Sequence, residues 1–215
     1  MKIILLTGFE AFGGEKINPS WEAVKQLDQL IIDEYQLIAR QLPCSFTGSS
    51  QRLIQLLEEL QPQIVLNIGQ AGGRLDISLE RIAINLDDAR IADNLGAQPI
   101  DQTIIKDAPN AYFTNLPLKA ILQTARSNGI PASISYSAGT FVCNHVFYTL
   151  MHWINTFNPA IKGGFIHIPY LPEQAAALVA QPSMTQETVI SGLKVIIKTI
   201  IATPQDISAV GGTIC

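Results

Sequence analysis

Three short, almost unbroken apolar runs constrain this chain most. Residues 3–7 read Ile-Ile-Leu-Leu-Thr, 64–68 read Ile-Val-Leu-Asn-Ile, and 164–168 read Gly-Phe-Ile-His-Ile. A strand with one face in water alternates apolar and polar residues, whereas a continuous run marks a strand covered on both faces. Between these runs the apolar spacing turns helical. Asn18-Pro19 is a helix start, with Trp21, Val24, Leu27 and Ile31 in period behind it. Ser49 or Ser50 opens a second helix carrying Leu53, Leu56, Leu57 and Leu60. A third helix is predicted over 117–128, ended by Gly129, and a last one over 183–202, with Ser183 and Gln186 as a capping box. Further strands are predicted over 35–42 and 132–137. The alternation predicts an α/β fold: a single-domain α/β/α sandwich with a mostly parallel twisted central sheet and helices on both faces. At 215 residues the chain suits one domain, 1–215.

One segment departs from this rhythm. Apolar positions alternate at Leu75, Ile77 and Leu79, then at Ile82, Ile84 and Leu86. The phase slips by one between Leu79 and Ile82, where strict alternation would have kept one face. The slip predicts a β-bulge or hairpin turn at Glu80-Arg81, and bulges gather beside active sites. Residues 91–110, rich in Asp, Asn, Pro and Gly, predict a loop.

Composition removes several classes of function. Hydrophobic residues make up 47% and charged residues 15%, which supplies a core and excludes disorder. The net charge is −4 and no Lys/Arg cluster exists, so no nucleic-acid or anionic-membrane partner is expected. The apolar N-terminal run is too short for a signal peptide, and no run is long enough to span a bilayer. Cys44, Cys143 and Cys215 are odd in number, widely spaced and without metal-ligand spacing. That suits a reducing, cytoplasmic compartment, with no metal. The loop over 7–14 lacks GxGxxG and a P-loop lysine, so no phosphate cofactor is indicated. Cys215, the last residue, is expected to be exposed.

The chemistry points to Cys143. A Gly-containing loop over 137–142 leads into it, and Val146, Phe147, Leu150, Trp153 and Ile154 continue in helical period. Unpaired N–H groups and a positive dipole at a helix start favour a thiolate. Such a nucleophile works with a base, and the base with an orienting group. His145 is two residues from Cys143 and so faces elsewhere on the helix, and His152 lies two turns away. His167, at the end of a predicted buried strand, is the best base, because ligand crevices open at the carboxyl ends of strands. Glu80 at the register slip is a candidate orienting carboxylate, with Asp76, Asp87 and Asp88 as competitors. Backbone N–H groups at the nucleophile turn, aided by Arg90, would meet an oxyanion. Phe9 and Phe12 suggest a small apolar pocket.

Five blocks in order resemble the pyroglutamyl-peptidase I, or pyrrolidone-carboxyl peptidase, family of cysteine peptidases. They are 7–14 with Asn18-Pro19-Ser20, 69–74, 79–91, 135–144 and 165–170, and the resemblance extends to about Gln174. Ala11 stands where that family often has proline, which touches loop stiffness only. The resemblance implies that Cys143 is the nucleophile, His167 the general base and acid, and Glu80 its orienting residue. It further implies that Phe9, Phe12, Asn18, Gln70, Ile91, Phe141 and Val142 form or border a pyroglutamate pocket, with Arg90 near the oxyanion. It implies removal of N-terminal pyroglutamyl residues from peptides through an acyl-enzyme, without cofactor, by a homo-oligomer, often a tetramer. Alternatives on the residues alone are another thiol-dependent amidase or acyltransferase, a non-catalytic α/β binding domain, or a purine-phosphorylase-like enzyme lacking a clear phosphate site.

Overall fold

A computed structural model describes residues 1–212, and Cys215 lies outside them. The chain runs β1 (Lys2–Phe9), α1 (Pro19–Val24), β2 (Ile31–Ile32), β3 (Tyr35–Leu42), α2 (Phe46–Leu60), β4 (Ile64–Gln70), β5 (Ile77–Glu80) and β6 (Ile82–Ile84). It continues with β7 (Ala111–Phe113), α3 (Leu118–Ser127), β8 (Ala132–Ser135), α4 (Val142–Phe157), β9 (Lys162–Ile168), α5 (Pro172–Ala175) and α6 (Gln186–Ala202). Seven strands form one sheet in the order β2-β3-β1-β4-β9-β5-β8. The central strands β3, β1, β4 and β9 are mutually parallel, as the apolar runs of β1, β4 and β9 predict, whereas β5 is antiparallel to β9.

Side chains leave β1 alternately toward two cores. Ile4 and Leu6 join α1, α3 and α6 on one face; Leu5 and Phe9 join α2 and α4 on the other. The helix starts follow from local chemistry. Asn18 caps α1 by accepting the Ser20 N–H, with Pro19 behind it. Thr185 caps α6 by accepting the Thr188 N–H.

Several expectations need correction. The α2 helix begins at Phe46, ahead of Ser49 and Ser50, whose hydroxyls instead donate back to the Phe46 carbonyl. Ile31 is not on the first helix, which tightens into a 3-10 turn over Lys25–Leu27 before β2. Ser183 does not cap α6 but bridges to Tyr170. The β4 strand, whose apolar run ends at Ile68, continues through Gly69 to Gln70. The slip at Glu80-Arg81 is neither a bulge nor a hairpin. At Arg81 the chain leaves the main sheet, and β6 pairs with β7 in a second, two-stranded sheet. Arg81 holds both sides of the exit: its N–H donates to Ser135 O at 2.8 Å and its carbonyl accepts from Thr114 N at 3.0 Å. Leu75, expected to start that strand, is exposed.

Among the described residues, no helix is long and apolar enough to cross a membrane. Cys44 is buried in the core between α2 and α4, and burial, with Glu10 and Asp93 nearby, pushes its thiol up to about 12. The folded state therefore favours the protonated thiol. That contribution is complete below the ordinary thiol value near 9 and is lost as pH rises toward 12. Chemical denaturation across this window should show stability falling with pH, and Cys44→Val, which cannot ionise, should flatten the fall by a few kcal/mol at most, on the order of 1.4 kcal/mol per pH unit. An unchanged slope in Cys44→Val would refute the assignment.

Candidate active site

Two parallel strands and one helix meet at Gly69. In the register of β4 and β9, Gly69 lies opposite His167. A Cβ on Gly69 would come 2.9 Å from Cys143 Sγ and 2.8 Å from the Phe165 ring. Gly69 is thus the bare backbone on which the Cys143 sulfur rests, one strand over from His167. A larger residue here would displace the Cys143 sulfur or the Phe165 ring.

Cys143 is the second residue of α4, entered from Phe141, which is extended and supplies no side-chain cap. The first-turn N–H groups therefore have no side-chain acceptor. Three residues flanking Cys143 fix this turn. Asn144, fully buried, accepts the Ile84 N–H at 3.0 Å and donates to the carbonyls of Ile84 and Leu86 at 2.9 and 3.0 Å. His145 Nδ1 meets Asp87 Oδ2 at 2.8 Å. Val142 is buried in the core. No sequence signal singles out Asn144, because its role depends on β6 leaving backbone groups that face α4.

His167 is almost fully buried, and its Nδ1 meets Glu80 Oε1 at 2.8 Å. The antiparallel register sets Ser78 opposite His167. Glu80, two residues on, shares that face and reaches the ring diagonally. An ionised carboxylate only accepts, so Nδ1 carries the ring proton and Nε2 keeps its lone pair. The competing carboxylates are engaged or remote: Asp76 takes the Ser133 and Ser78 hydroxyls, Asp87 holds His145, and Asp88 is exposed. His152 pairs with the Tyr112 hydroxyl at 2.9 Å.

Part of the Cys143 surface remains in solvent, yet the atoms packed around the sulfur dominate its electrostatics. Burial pushes its thiol up, with Cys44 and Glu80 adding to the effect. Burial thus opposes the thiolate that the helix start favours, and the sulfur needs a base.

The pocket candidates divide. Phe12 faces Phe141 at 6.2 Å between ring centroids, while Phe9 packs on Phe165 in the core. Gln70 ends β4, its Oε1 accepting from Gln174 Nε2 at 3.2 Å. Leu171 N–H donates to the other end of the Gln174 amide, which settles that orientation. Asn18 is occupied within its loop by Ser20 and by the Glu10 carbonyl. Ile91 and Arg90 are exposed, and among the described residues the Arg90 side chain has no hydrogen-bond or ion-pair partner. A cavity of about 520 Å³ lies between residues 13–17 and 173–178 and borders Gln174. A groove of about 530 Å³ lined by Leu57, Trp153 and Phe157 sits at the far end of α4, away from Cys143.

A thiol beside a histidine–carboxylate pair is the kind of arrangement that thiol hydrolases use. The sequence profile described as pyroglutamyl peptidase matches residues 1–203. Pyrrolidone-carboxylate peptidases of Yersinia pestis and Yersinia pseudotuberculosis are 54% identical over 214 residues, covering all of both chains. The crystal structure of pyroglutamyl peptidase I from Bacillus amyloliquefaciens superposes with a TM-score of 0.94 at 46% identity, over 97% of this chain and 99% of that one. The pyrrolidone carboxyl peptidase of Thermococcus litoralis gives a TM-score of 0.94 at 42% identity, over 97% and 99%. The chain belongs to the pyroglutamyl peptidase family, the cysteine omega peptidases that remove N-terminal pyroglutamate, and the resemblance read from its five blocks is borne out.

Asn144 gives a direct test of how the nucleophile helix is held. Asn144→Ala leaves one N–H and two carbonyls of the Ile84–Leu86 segment without that partner. It should cost about 2–3 kcal/mol in denaturant unfolding and lower kcat more than it raises KM. A variant of wild-type stability would show that water replaces the clamp.

Proposed function

We propose that Cys143, His167 and Glu80 are the nucleophile, the base and acid, and the orienting carboxylate for cleavage of pyroglutamyl peptides. The observation that carries this reading is the Glu80–His167 pair set one strand from the Gly69 seat of the Cys143 sulfur. As Sγ attacks the pyroglutamyl carbonyl, His167 Nε2 takes the thiol proton, and the new imidazolium is balanced by Glu80. The first-turn N–H groups of α4 receive the oxyanion. The C–N bond breaks as His167 returns the proton to the leaving amine, giving a thioester on Cys143. Water then attacks with His167 again as base; pyroglutamate leaves and the thiol is restored.

The lactam ring lies against Phe12 and Phe141, with Phe9 behind, and the backbone of Val142 and the side chain of Ile91 border it. Gln70 Nε2, whose amide partner Oε1 is already bonded to Gln174, is left to donate to the lactam carbonyl. Proline lacks that carbonyl and leaves the pocket's donor unpaired, so prolyl amides are rejected. Asn18 shapes the loop rather than touching the ring, and Arg90 adds positive charge at the rim.

The substrates are peptides with N-terminal pyroglutamate; nucleic acid and membrane are not partners. The whole of 1–215 acts as one catalytic domain, because both core clusters draw residues from across the chain onto one sheet. The exposed Ile91, Leu95, Ile100 and Phe113 suit a homotetramer, and the free thiols Cys44 and Cys143 suit the cytoplasm.

Release of a fluorogenic amine from its pyroglutamyl amide, beside the prolyl and alanyl amides, tests the assignment. Cys143→Ser should abolish turnover, His167→Ala should lower kcat by roughly a thousandfold or more, and Glu80→Gln by less. Because burial holds the Cys143 thiol protonated, iodoacetamide should modify Cys143 far more slowly in His167→Ala than in wild type. Equal rates would mean that His167 is not the base.

A further inference from the structure

Arg74, on the turn between β4 and β5, reaches two points of the site. Its Nη2 lies 3.3 Å from Glu80 Oε1, the same oxygen that His167 Nδ1 meets, and donates to the Ser137 carbonyl at 3.0 Å. Ser137 belongs to the link between β8 and α4 that delivers Cys143. We propose that Arg74 is a positioning residue of the catalytic reaction: it keeps Glu80 ionised against His167 and ties that pair to the loop entering the nucleophile helix.

The argument rests on the Cys143–His167–Glu80 reading and on the cost of burying charge. Glu80 has no exposed surface, and its Oε2 has no hydrogen-bond partner. A neutral imidazole N–H supplies one hydrogen bond and no charge, which leaves a buried carboxylate poorly compensated. Among the described residues, Arg74 is the one Lys or Arg side chain within ion-pair distance of Glu80. A guanidinium stays charged at every relevant pH, so this compensation never titrates.

Without Arg74 a proton has to balance Glu80, and both places for it disable the base. On His167 it fills Nε2 before Cys143 can use it. On Glu80 the new O–H donates to Nδ1, and the ring proton moves to Nε2. Either way the pair binds its proton at higher pH than in the wild type, because a positive charge has been removed beside it. The charged and titratable groups around His167 are few. Glu80 stands on β5 with Arg74 behind it, and Cys143 on α4. The β4 neighbour is Gly69, and Asp76 below Ser78 is occupied by two serine hydroxyls.

The test is the pH profile of kcat/KM on a fluorogenic pyroglutamyl amide for Arg74→Gln and Arg74→Lys, in the wild-type and Glu80→Gln backgrounds. Arg74 is about one-third exposed, at 31%, so the core is undisturbed, and thermal melts confirm folding. Arg74→Gln should move the acid limb up by about one pH unit and regain most activity at alkaline pH. Arg74→Lys, which keeps the charge, should leave the limb in place, and this variant alone decides the charge argument if Arg74→Gln does not fold. In Glu80→Gln, further loss of Arg74 should move nothing, because the arginine acts through the carboxylate. A uniform loss at every pH, a superimposable Arg74→Gln profile, or a limb that shifts equally in Arg74→Lys would overturn the proposal. Wild-type activity in Glu80→Gln and His167→Ala would instead overturn the reading on which it rests.

Discussion

A carboxylate with no exposed surface governs the architecture of this site. Glu80 is costly to bury, and the cost is met by two partners on one oxygen, His167 and Arg74. That requirement fixes the rotation of the imidazole and hence which nitrogen is free. It also explains the run of chain on either side. Glu80 is the last residue of β5, and the strand has to leave the main sheet immediately after it so that β6 can meet the nucleophile helix.

Cys143 is placed from the opposite direction. The sulfur of Cys143 comes down on Gly69, and α4 is fixed from above by Asn144 on β6 and by His145 on Asp87. The same bend at Arg81 therefore delivers the carboxylate to the histidine on one side and the clamp for the cysteine helix on the other. Because desolvation opposes the thiolate, the proposed reaction depends on the relative position of these parts. Gly69, Asn144 and Arg74 each hold a part of the proposed Cys143–His167–Glu80 set.

Much of the fold was legible in the residues. The unbroken apolar runs declared β1, β4 and β9, and the spacing after Asn18-Pro19 and after Cys143 declared α1 and α4. Errors clustered where local signals were ambiguous. Ser49 and Ser50 are good cap residues, but Ser45 begins the helix, and the serines bond back within it. Ile31 kept helical period although the chain had already turned into β2. The phase slip at Glu80-Arg81 was visible, yet its meaning was not. A slip marks only that the strand changes face, whereas here it changes sheets.

Residues read in order carry the class of fold and the family, and they single out Cys143 and His167, with Glu80 set apart from three other carboxylates by the resemblance alone. Periodicity and local motifs are properties of neighbouring residues, and a linear reading captures them. Tertiary contacts are what bring Glu80 rather than Asp76, Asp87 or Asp88 to His167, Asn144 to the β6 backbone, and Arg74 to the buried carboxylate. Those choices depend on strand register and on contacts between segments sixty or more residues apart, such as Arg74 with Ser137 at a separation of 63 and His167 with Glu80 at 87. No local pattern encodes such pairings, because they follow from how whole strands align when the cores on both faces of the sheet close.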